Sequence, residues 1–351
     1  MSHILLMNNA YPTEKNPKHG SYVKSIKESL ESAGHSVNLC VLNSDFKNRR
    51  QHLINYIIFY KRILKEKFYL YDYVLVNNFG YVILPLLKSI RDIKNLVIHW
   101  HGSDLYAPNK IFQSCFDIAV RKLPGNTKHI TPSEYFKKQV SNKHKIPLQQ
   151  IEISPSGGID TCLFHQKKTS DRRNNAEVLE LGFASGLSVE KGADIILFLL
   201  NNIRSIEDSI NKKMRLHYIY YGSQKHEYGS LFKNYTNTVC WEVMPSHQMP
   251  KFFQSIDILL FPTKREAESL GLVALEAMSC GCPVLGTDAF AIKEYIVSGV
   301  TGERFIMNDL HDFINKLKCM ISNIKTYDPR KFVLEKYSRE KVVKFYENYF
   351  K

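Results

Sequence analysis

The chain has 351 residues, 44% of them hydrophobic, enough for about two domains of ordinary size. Its 48 Lys and Arg against 34 Asp and Glu give a formal net charge of +14, which calls for a polyanion: nucleic acid, an anionic membrane surface or a polyanionic substrate. Seven scattered cysteines without C-x-x-C or zinc-ligand spacing point to a reduced, cytosolic protein rather than a disulfide scaffold. Residues 1–7 lack the basic region and long apolar core of a signal peptide, and no uncharged apolar run reaches the ~18 residues of a membrane span.

Residues 3–7 read as a strand that runs into the loop Asn8–Pro12. That loop continues to Gly20, and a helix follows with Val23, Ile26 and Leu30 on one face, stopped at Gly34. With a second strand over 35–42, the chain opens β–loop–α–β, the start of a parallel, doubly wound sheet. Ligands of such sheets bind at the carboxyl ends of the strands, which makes the loop ending at Gly20 a candidate site as well as an ordinary surface loop. Residues 46–70 interleave Lys47, Arg49, Arg50, Lys61, Arg62, Lys65 and Lys67 with Tyr, Phe, Ile and Leu. Two readings stay open there: a helix lying on an anionic bilayer, or a core-facing helix with solvated lysines.

A strand over 73–76, a helix over 81–90 and a strand over 95–99 come next. The last runs into Trp100-His101-Gly102-Ser103-Asp104, which puts His101 at a strand's carboxyl end, the place for a site residue. Asp104 serves equally well as the cap of the next turn. Ser133 is the expected N-cap of a helix, and residues 151–154 form another strand. The polar stretch 165–176 has no apolar period and reads as the linker between domains.

The second half opens with a strand over 179–184 and then Ser185-Gly186-Leu187-Ser188-Val189-Glu190-Lys191-Gly192. Lys191 stands before Gly192, at a helix entry. Strands follow over 216–221, ending at Gly222, over 238–243 and over 256–261. The run Glu268-Ser269-Leu270-Gly271-Leu272-Val273-Ala274-Leu275-Glu276-Ala277-Met278 organises what remains. Leu272, Leu275 and Met278 recur at helical spacing, with a stop at Gly281 and Pro283. A helix beginning at Ser269–Gly271 offers unpaired N–H groups and a partial positive charge to an anion. Glu268 and Glu276 bracket that start, and carboxylates accept hydrogen bonds from vicinal sugar hydroxyls. Taken alone, the pair reads more readily as solvated glutamates on an amphipathic helix. Residues 284–287 are a further strand, with helices over 313–324 and 339–349.

Phe261-Pro262-Thr263, the Glu268–Met278 run, Cys280-Gly281-Cys282-Pro283-Val284, Glu294-Tyr295-Ile296, Gly299 and Thr301-Gly302 together resemble the signature of family 4 glycosyltransferases. The pieces His19-Gly20-Ser21-Tyr22-Val23, His101-Gly102-Ser103-Asp104 and Pro155–Asp160 with Phe164 resemble further segments of that family. The resemblance implies a GT-B fold, α/β, with two Rossmann-like doubly wound domains facing across a cleft. It sets an N-terminal acceptor-side domain over 1–165, with the helix at about 337–351 packed back on it, and a C-terminal nucleotide-sugar domain over 177–336. It implies a retaining transferase taking a hexose or N-acetylhexosamine from a nucleoside-diphosphate sugar, UDP being the expected nucleotide. Glu276 would hold the ribose, Glu268 and His101 the donor sugar, and Lys191 with the amides of Leu270, Gly271 and Leu272 the diphosphate. Ser269, Gly20 and Gly222 complete the donor-binding set, and Trp241–Met244 is the expected base pocket. Gly186 falls where the family carries an arginine, so one cation of the leaving-group site is missing; either Lys191 works alone with the helix start after Glu268, or a basic residue such as Lys264 or Arg265 compensates.

No Asp-x-Asp occurs, which argues against the metal-dependent type of transferase, and neither metal nor cofactor is expected. A lipid-diphosphate-linked or glycan acceptor in cell-surface polysaccharide synthesis, at the inner face of the plasma membrane, fits the charge and the lack of a span. A nucleotide-sugar epimerase or sugar phosphorylase on the same fold is the alternative enzyme. A basic nucleic-acid-binding protein explains only the charge.

Overall fold

The computed structural model describes residues 1–17, 19–43, 45–46, 48–87, 89–107, 109–166 and 177–351. Lys47 of the basic stretch and residues 167–176 of the expected linker lie outside the described residues. The chain divides into two compact units, residues 1–158 with 339–351, and residues 159–338.

The first unit begins with β1 (His3–Asn8), α1 (Ser21–Ser32), β2 (Ser36–Val41) and α2 (Arg49–Lys65). It continues through β3 (Tyr73–Asn77), α3 (Phe79–Ile83), β4 (Leu96–His99) and α4 (Lys110–Arg121). It then has β5 (Lys128–Thr131), α5 (Glu134–His144) and β6 (Ile151–Ile153). Six strands pair in parallel in the order β2-β1-β3-β4-β5-β6. The central strands β3 and β4 are buried almost throughout, as a sheet covered on both faces requires. Ser133 caps α5 by accepting from the Phe136 N–H at 3.3 Å, as its sequence position predicts. The helix expected over 81–90 differs. It breaks into α3 and short 3₁₀ turns at Leu84–Leu86 and Ile90–Asp92, because Pro85 lacks the N–H that a continuous helix needs.

The second unit runs β7 (Val178–Phe183), α6 (Ala193–Ile210), β8 (Lys213–Ile219), α7 (Lys225–Lys233), β9 (Thr238–Trp241) and α8 (Met249–Phe253). Then come β10 (Ile258–Phe261), α9 (Leu272–Ser279), β11 (Val284–Thr287), β12 (Gly302–Phe305), α10 (Leu310–Ser322) and α11 (Pro329–Lys336). Its sheet is parallel too, in the order β12-β11-β10-β7-β8-β9. All four residues of β10 and of β11 are buried. The chain ends in α12 (Arg339–Tyr349), which belongs to the first unit: Val342, Tyr346 and Phe350 share a core with Val23, Ile26 and Leu30.

In both sheets the strand order reverses beside the first strand, between β1 and β3 and between β7 and β10. At such a switch point the loops leave in opposite directions and open a crevice at the carboxyl ends of the strands. That rule locates the sites below.

Candidate functional site

In the second unit the two strands at the switch point are β7 and β10. The loop after β7 carries Lys191 and the loop after β10 carries Glu268. Lys191 ends a 3₁₀ turn, Val189–Lys191, and Gly192 follows with φ +84° as the entry to α6. A Cβ on Gly192 would stand 2.3 Å from the Pro262 carbonyl oxygen, so glycine is what lets the two loops touch. They are also stitched: Lys264 N–H donates to the Glu190 carbonyl at 2.8 Å, and the Thr263 hydroxyl reaches the same oxygen at 3.4 Å. The result is an ion pair between residues 77 positions apart, with Lys191 Nζ donating to Glu268 Oε2. Their side chains are 23% and 16% exposed, so the pair sits at the surface of the crevice with little water around it.

Helix α9 begins at Leu272, three residues later than its sequence predicts, because Gly271 takes φ +69° as the N-cap. Glu268 therefore lies in a separate turn, closed by its own N–H donating to the Arg265 carbonyl at 3.0 Å. The first hydrogen bond of the helix runs from Ala274 N–H to the Gly271 carbonyl at 2.9 Å. The amides just before it are thus not used by the helix itself. Ser269 and Leu272 are partly exposed, while Leu270 is buried and anchors the loop in the core. Beneath Gly271 lies the Tyr295 hydroxyl, 2.2 Å from where a Cβ would stand. Tyr295 is fully buried, and burial together with the Glu268 charge pushes its phenol well above the usual range.

Glu276 lies one turn into α9. Tyr221, two residues after β8, is held by its hydroxyl donating to the Ala184 carbonyl at 2.9 Å. Burial raises its phenol pKa first, and the charges of Glu268 and Glu276 raise it further. One neutral aromatic ring therefore feels both glutamates. Sequence reasoning missed Tyr221; its position beside Gly222 at a strand's carboxyl end was the available signal. Gly222 itself packs against the Leu187 backbone, where a Cβ would come within 2.4 Å. Of the two cations considered as replacements for the missing arginine, Lys264 is engaged by Asp194 at 2.6 Å. Arg265, one residue on, is exposed on the same stitched loop. At the expected base pocket, Trp241 donates its indole N–H to His217 Nδ1 at 3.0 Å and lies edge-on to Phe252; Met244 is buried in the core.

In the first unit, β3 ends at Asn77 and β4 leads to His101. The His101 Nε2 and Asn77 Oδ1 atoms are 2.7 Å apart, which as oriented protonates Nε2 and leaves Nδ1 as an acceptor. The ring lies 4.3 Å from His99 and 4.5 Å from Tyr22, centroid to centroid. Burial, then the neighbouring His99, hold His101 well below the usual histidine pKa, so it is a neutral imidazole at pH 7. Asp104 has a structural task. Its carboxylate accepts from the His101 N–H through both oxygens at 3.0 Å and from the Gly102 N–H at 2.9 Å. Burial raises its pKa to about 6 against the lowering effect of those amides. Gly20 caps α1 with φ +75°, its backbone pressed on Ala10. Asn77, the partner that orients His101, carries no motif that sequence reasoning could have used.

Two doubly wound parallel sheets in one chain, each with its polar loops at the switch point, are the architecture of GT-B glycosyltransferases. Residues 179–323 match the family model described as glycosyl transferases group 1. The chain carries a group 1 glycosyltransferase domain, similar to family 4, and has the GT-B fold. It is 24% identical over 289 residues to a lipopolysaccharide 1,2-N-acetylglucosaminetransferase of Salmonella typhimurium, spanning 76% of this chain and 70% of that protein. It is 28% identical over 162 residues to a sulfoquinovosyl transferase of Arabidopsis thaliana, where the match spans 45% of this chain and only 29% of the relative. A sucrose-phosphate synthase from Thermosynechococcus elongatus superposes with a TM-score of 0.74 at 16% identity, covering 100% of this chain and 99% of that one. The HepE protein of Anabaena, solved with UDP and glucose, gives 0.71 at 14% identity, covering 98% of each chain.

Proposed function

We propose that this protein is a retaining, metal-independent glycosyltransferase that moves a hexose or N-acetylhexosamine from a nucleoside-diphosphate sugar to a lipid-linked or glycan acceptor. The observation that carries the reading is the meeting of Lys191 and Glu268 at the switch point of a group 1 domain. Each is the natural partner of one half of a sugar nucleotide. A diphosphate takes Lys191, the free amides before α9 take its oxygens, and Glu268 is released to accept from a sugar hydroxyl. Glu276, one turn further along, accepts from the ribose hydroxyls. Arg265 supplies the second cation, since Lys264 is already engaged. Neutral His101, held by Asn77, presents an acceptor nitrogen at the carboxyl ends of the first unit's strands.

In the transfer, the acceptor oxygen attacks the anomeric carbon from the face that the nucleotide leaves. The carbon–phosphate-oxygen bond breaks as the new glycosidic bond forms, and the departing phosphate oxygen takes the acceptor's proton. Lys191, Arg265 and the amides stabilise the charge that builds on that phosphate. UDP is the proposed nucleotide; the HepE structure holding UDP and glucose supports that choice by fold alone. A relative that acts on lipopolysaccharide supports a surface-glycan acceptor, and with it a place at the inner face of the plasma membrane.

The test is thermal shift with a panel of nucleoside diphosphates, with and without EDTA. UDP should raise the midpoint by mass action, and EDTA should leave both the shift and the turnover unchanged. In the Glu276→Ala variant the protein should keep its own midpoint while the donor KM rises about 10- to 100-fold. That is the loss of one charge-assisted hydrogen bond, about 1.5–3 kcal/mol. Unchanged kinetics in a folded Glu276→Ala variant would remove that residue from the ribose.

A further inference from the structure

We propose that the outward face of α2 docks on an anionic lipid bilayer. The sequence leaves this helix undecided, because apolar residues occur all round it. The structure decides which of them meet solvent. Asn55, Phe59 and Ile63 are buried, and His52, Tyr56 and Tyr60 flank them. Leu53, Ile54, Ile57, Ile58 and Leu64 point outward at 63%, 41%, 47%, 53% and 62% exposure. At 3.6 residues per turn those five occupy an arc of about 140°. Arg50, Lys61 and Lys65 fall within the same arc and are exposed, while Arg62 lies about 40° outside it with its guanidinium donating to the Val41 carbonyl at 3.4 Å. The helix contains no acidic residue.

A solvated helix face is built mainly from polar residues, and this one is built mainly from aliphatics. What covers it must bury aliphatic side chains and accept several cations at the same depth. An anionic bilayer does both: aliphatics enter the acyl boundary while lysine and arginine stems snorkel to the headgroups. A second copy of the chain fits poorly, because a two-fold contact would set this cationic face against itself. The net charge of +14 acts in the same direction over a longer range.

The inner face of α2 ties the docking surface to the carboxyl ends of the first sheet. Asn9, after β1, donates to the Tyr56 hydroxyl at 3.3 Å, and the Tyr60 hydroxyl donates to the Tyr81 carbonyl, after β3, at 3.0 Å. A molecule carried in the bilayer would therefore be presented at the end of the unit where His101 lies. Docking itself stands apart from the transferase reading and is tested without turnover.

The experiment is co-sedimentation of the full chain with vesicles of phosphatidylcholine alone and of phosphatidylcholine mixed equally with phosphatidylglycerol. Two variants are compared after their melting points are matched to wild type: Lys61→Glu, Arg62→Glu, Lys65→Glu, and Leu53→Ser, Ile57→Ser, Leu64→Ser. Wild type should partition onto the phosphatidylglycerol vesicles and not onto phosphatidylcholine. Its partitioning should fall as salt shortens the screening length towards about 3 Å at 1 M. The charge variant should lose about 100-fold in partitioning, and the serine variant about tenfold or more. Absence of wild-type binding, or binding indifferent to both variants and to salt, overturns the proposal. So does a change of oligomeric state in either variant by sedimentation velocity, which would make this face an interface between copies.

Discussion

Lys191→Ala is expected to lower kcat/KM for the sugar nucleotide by about 10²- to 10³-fold, the loss that removing one preorganised electrostatic donor typically causes. The structure adds a complication that the same experiment must resolve. In the free protein Lys191 is the counterion of Glu268, whose side chain is 16% exposed. Removing the lysine leaves that carboxylate without its cation, at a cost of about 1–3 kcal/mol for a pair of intermediate burial. A drop in activity could then reflect a displaced Glu268 loop. The double variant Lys191→Ala, Glu268→Gln separates the two. It should recover the melting point, because the unpaired charge is gone, and should recover no activity. Arg265→Ala, with no ion pair to lose among the described residues, should cost about tenfold in kcat/KM and leave the melting point alone. If Lys191→Ala keeps kcat/KM within about threefold of wild type, the lysine is only the counterion of Glu268 and the diphosphate site lies elsewhere.

Why this pair was legible only in part is a matter of topology. Lys191 before Gly192 and the Glu268–Glu276 spacing are local patterns, and a reader of the chain can find each. Their meeting is not local, because it depends on β10 pairing with β7 rather than with β9. The resemblance to family 4 supplied that adjacency; periodicity could not. The alternation of strand and helix was legible over much of the chain, since parallel strands buried on both faces stand out as short apolar runs, but the short strand Gly302–Phe305 and the helices Lys110–Arg121 and Lys225–Lys233 went unassigned. The helix over 81–90 was misread because its apolar period outweighed Pro85, and the start of α9 was set three residues early because Gly271 reads as helix-compatible until its positive φ is seen. The α2 face could not have been assigned from the chain. Both of its faces are apolar, and only the surrounding residues, Tyr81 among them, decide which one the core takes.

Gly302→Ala is expected to destabilise the second unit by about 4 kcal/mol or more, a size reserved for substitutions with a definite steric or electrostatic cause. Gly302 opens β12 and lies opposite Val284 in the β11–β12 ladder. A Cβ there would stand 1.9 Å from the Val284 carbonyl oxygen and 2.7 Å from its carbon and nitrogen. The obstacle is backbone, so no side chain can swing aside. Moving Val284 away would break the hydrogen bond from its N–H to the Thr301 carbonyl at 3.1 Å and pull at β10 on its other side. Thr301 in turn closes the preceding turn, its hydroxyl donating to the Tyr295 carbonyl at 2.8 Å and accepting from the Val297 N–H at 2.7 Å. Strain at Gly302 therefore spreads to Tyr295, under the start of α9. Gly299 is the control, because it has φ +76° and nothing within 4 Å of its Cβ position. Gly299→Ala should cost only the left-handed backbone, about 1–2 kcal/mol. Thermal denaturation of the two variants checks the argument, at roughly 2–4 °C per kcal/mol for a unit of this size. Midpoints that agree within a few degrees would mean that the ladder at Val284 yields to a methyl group.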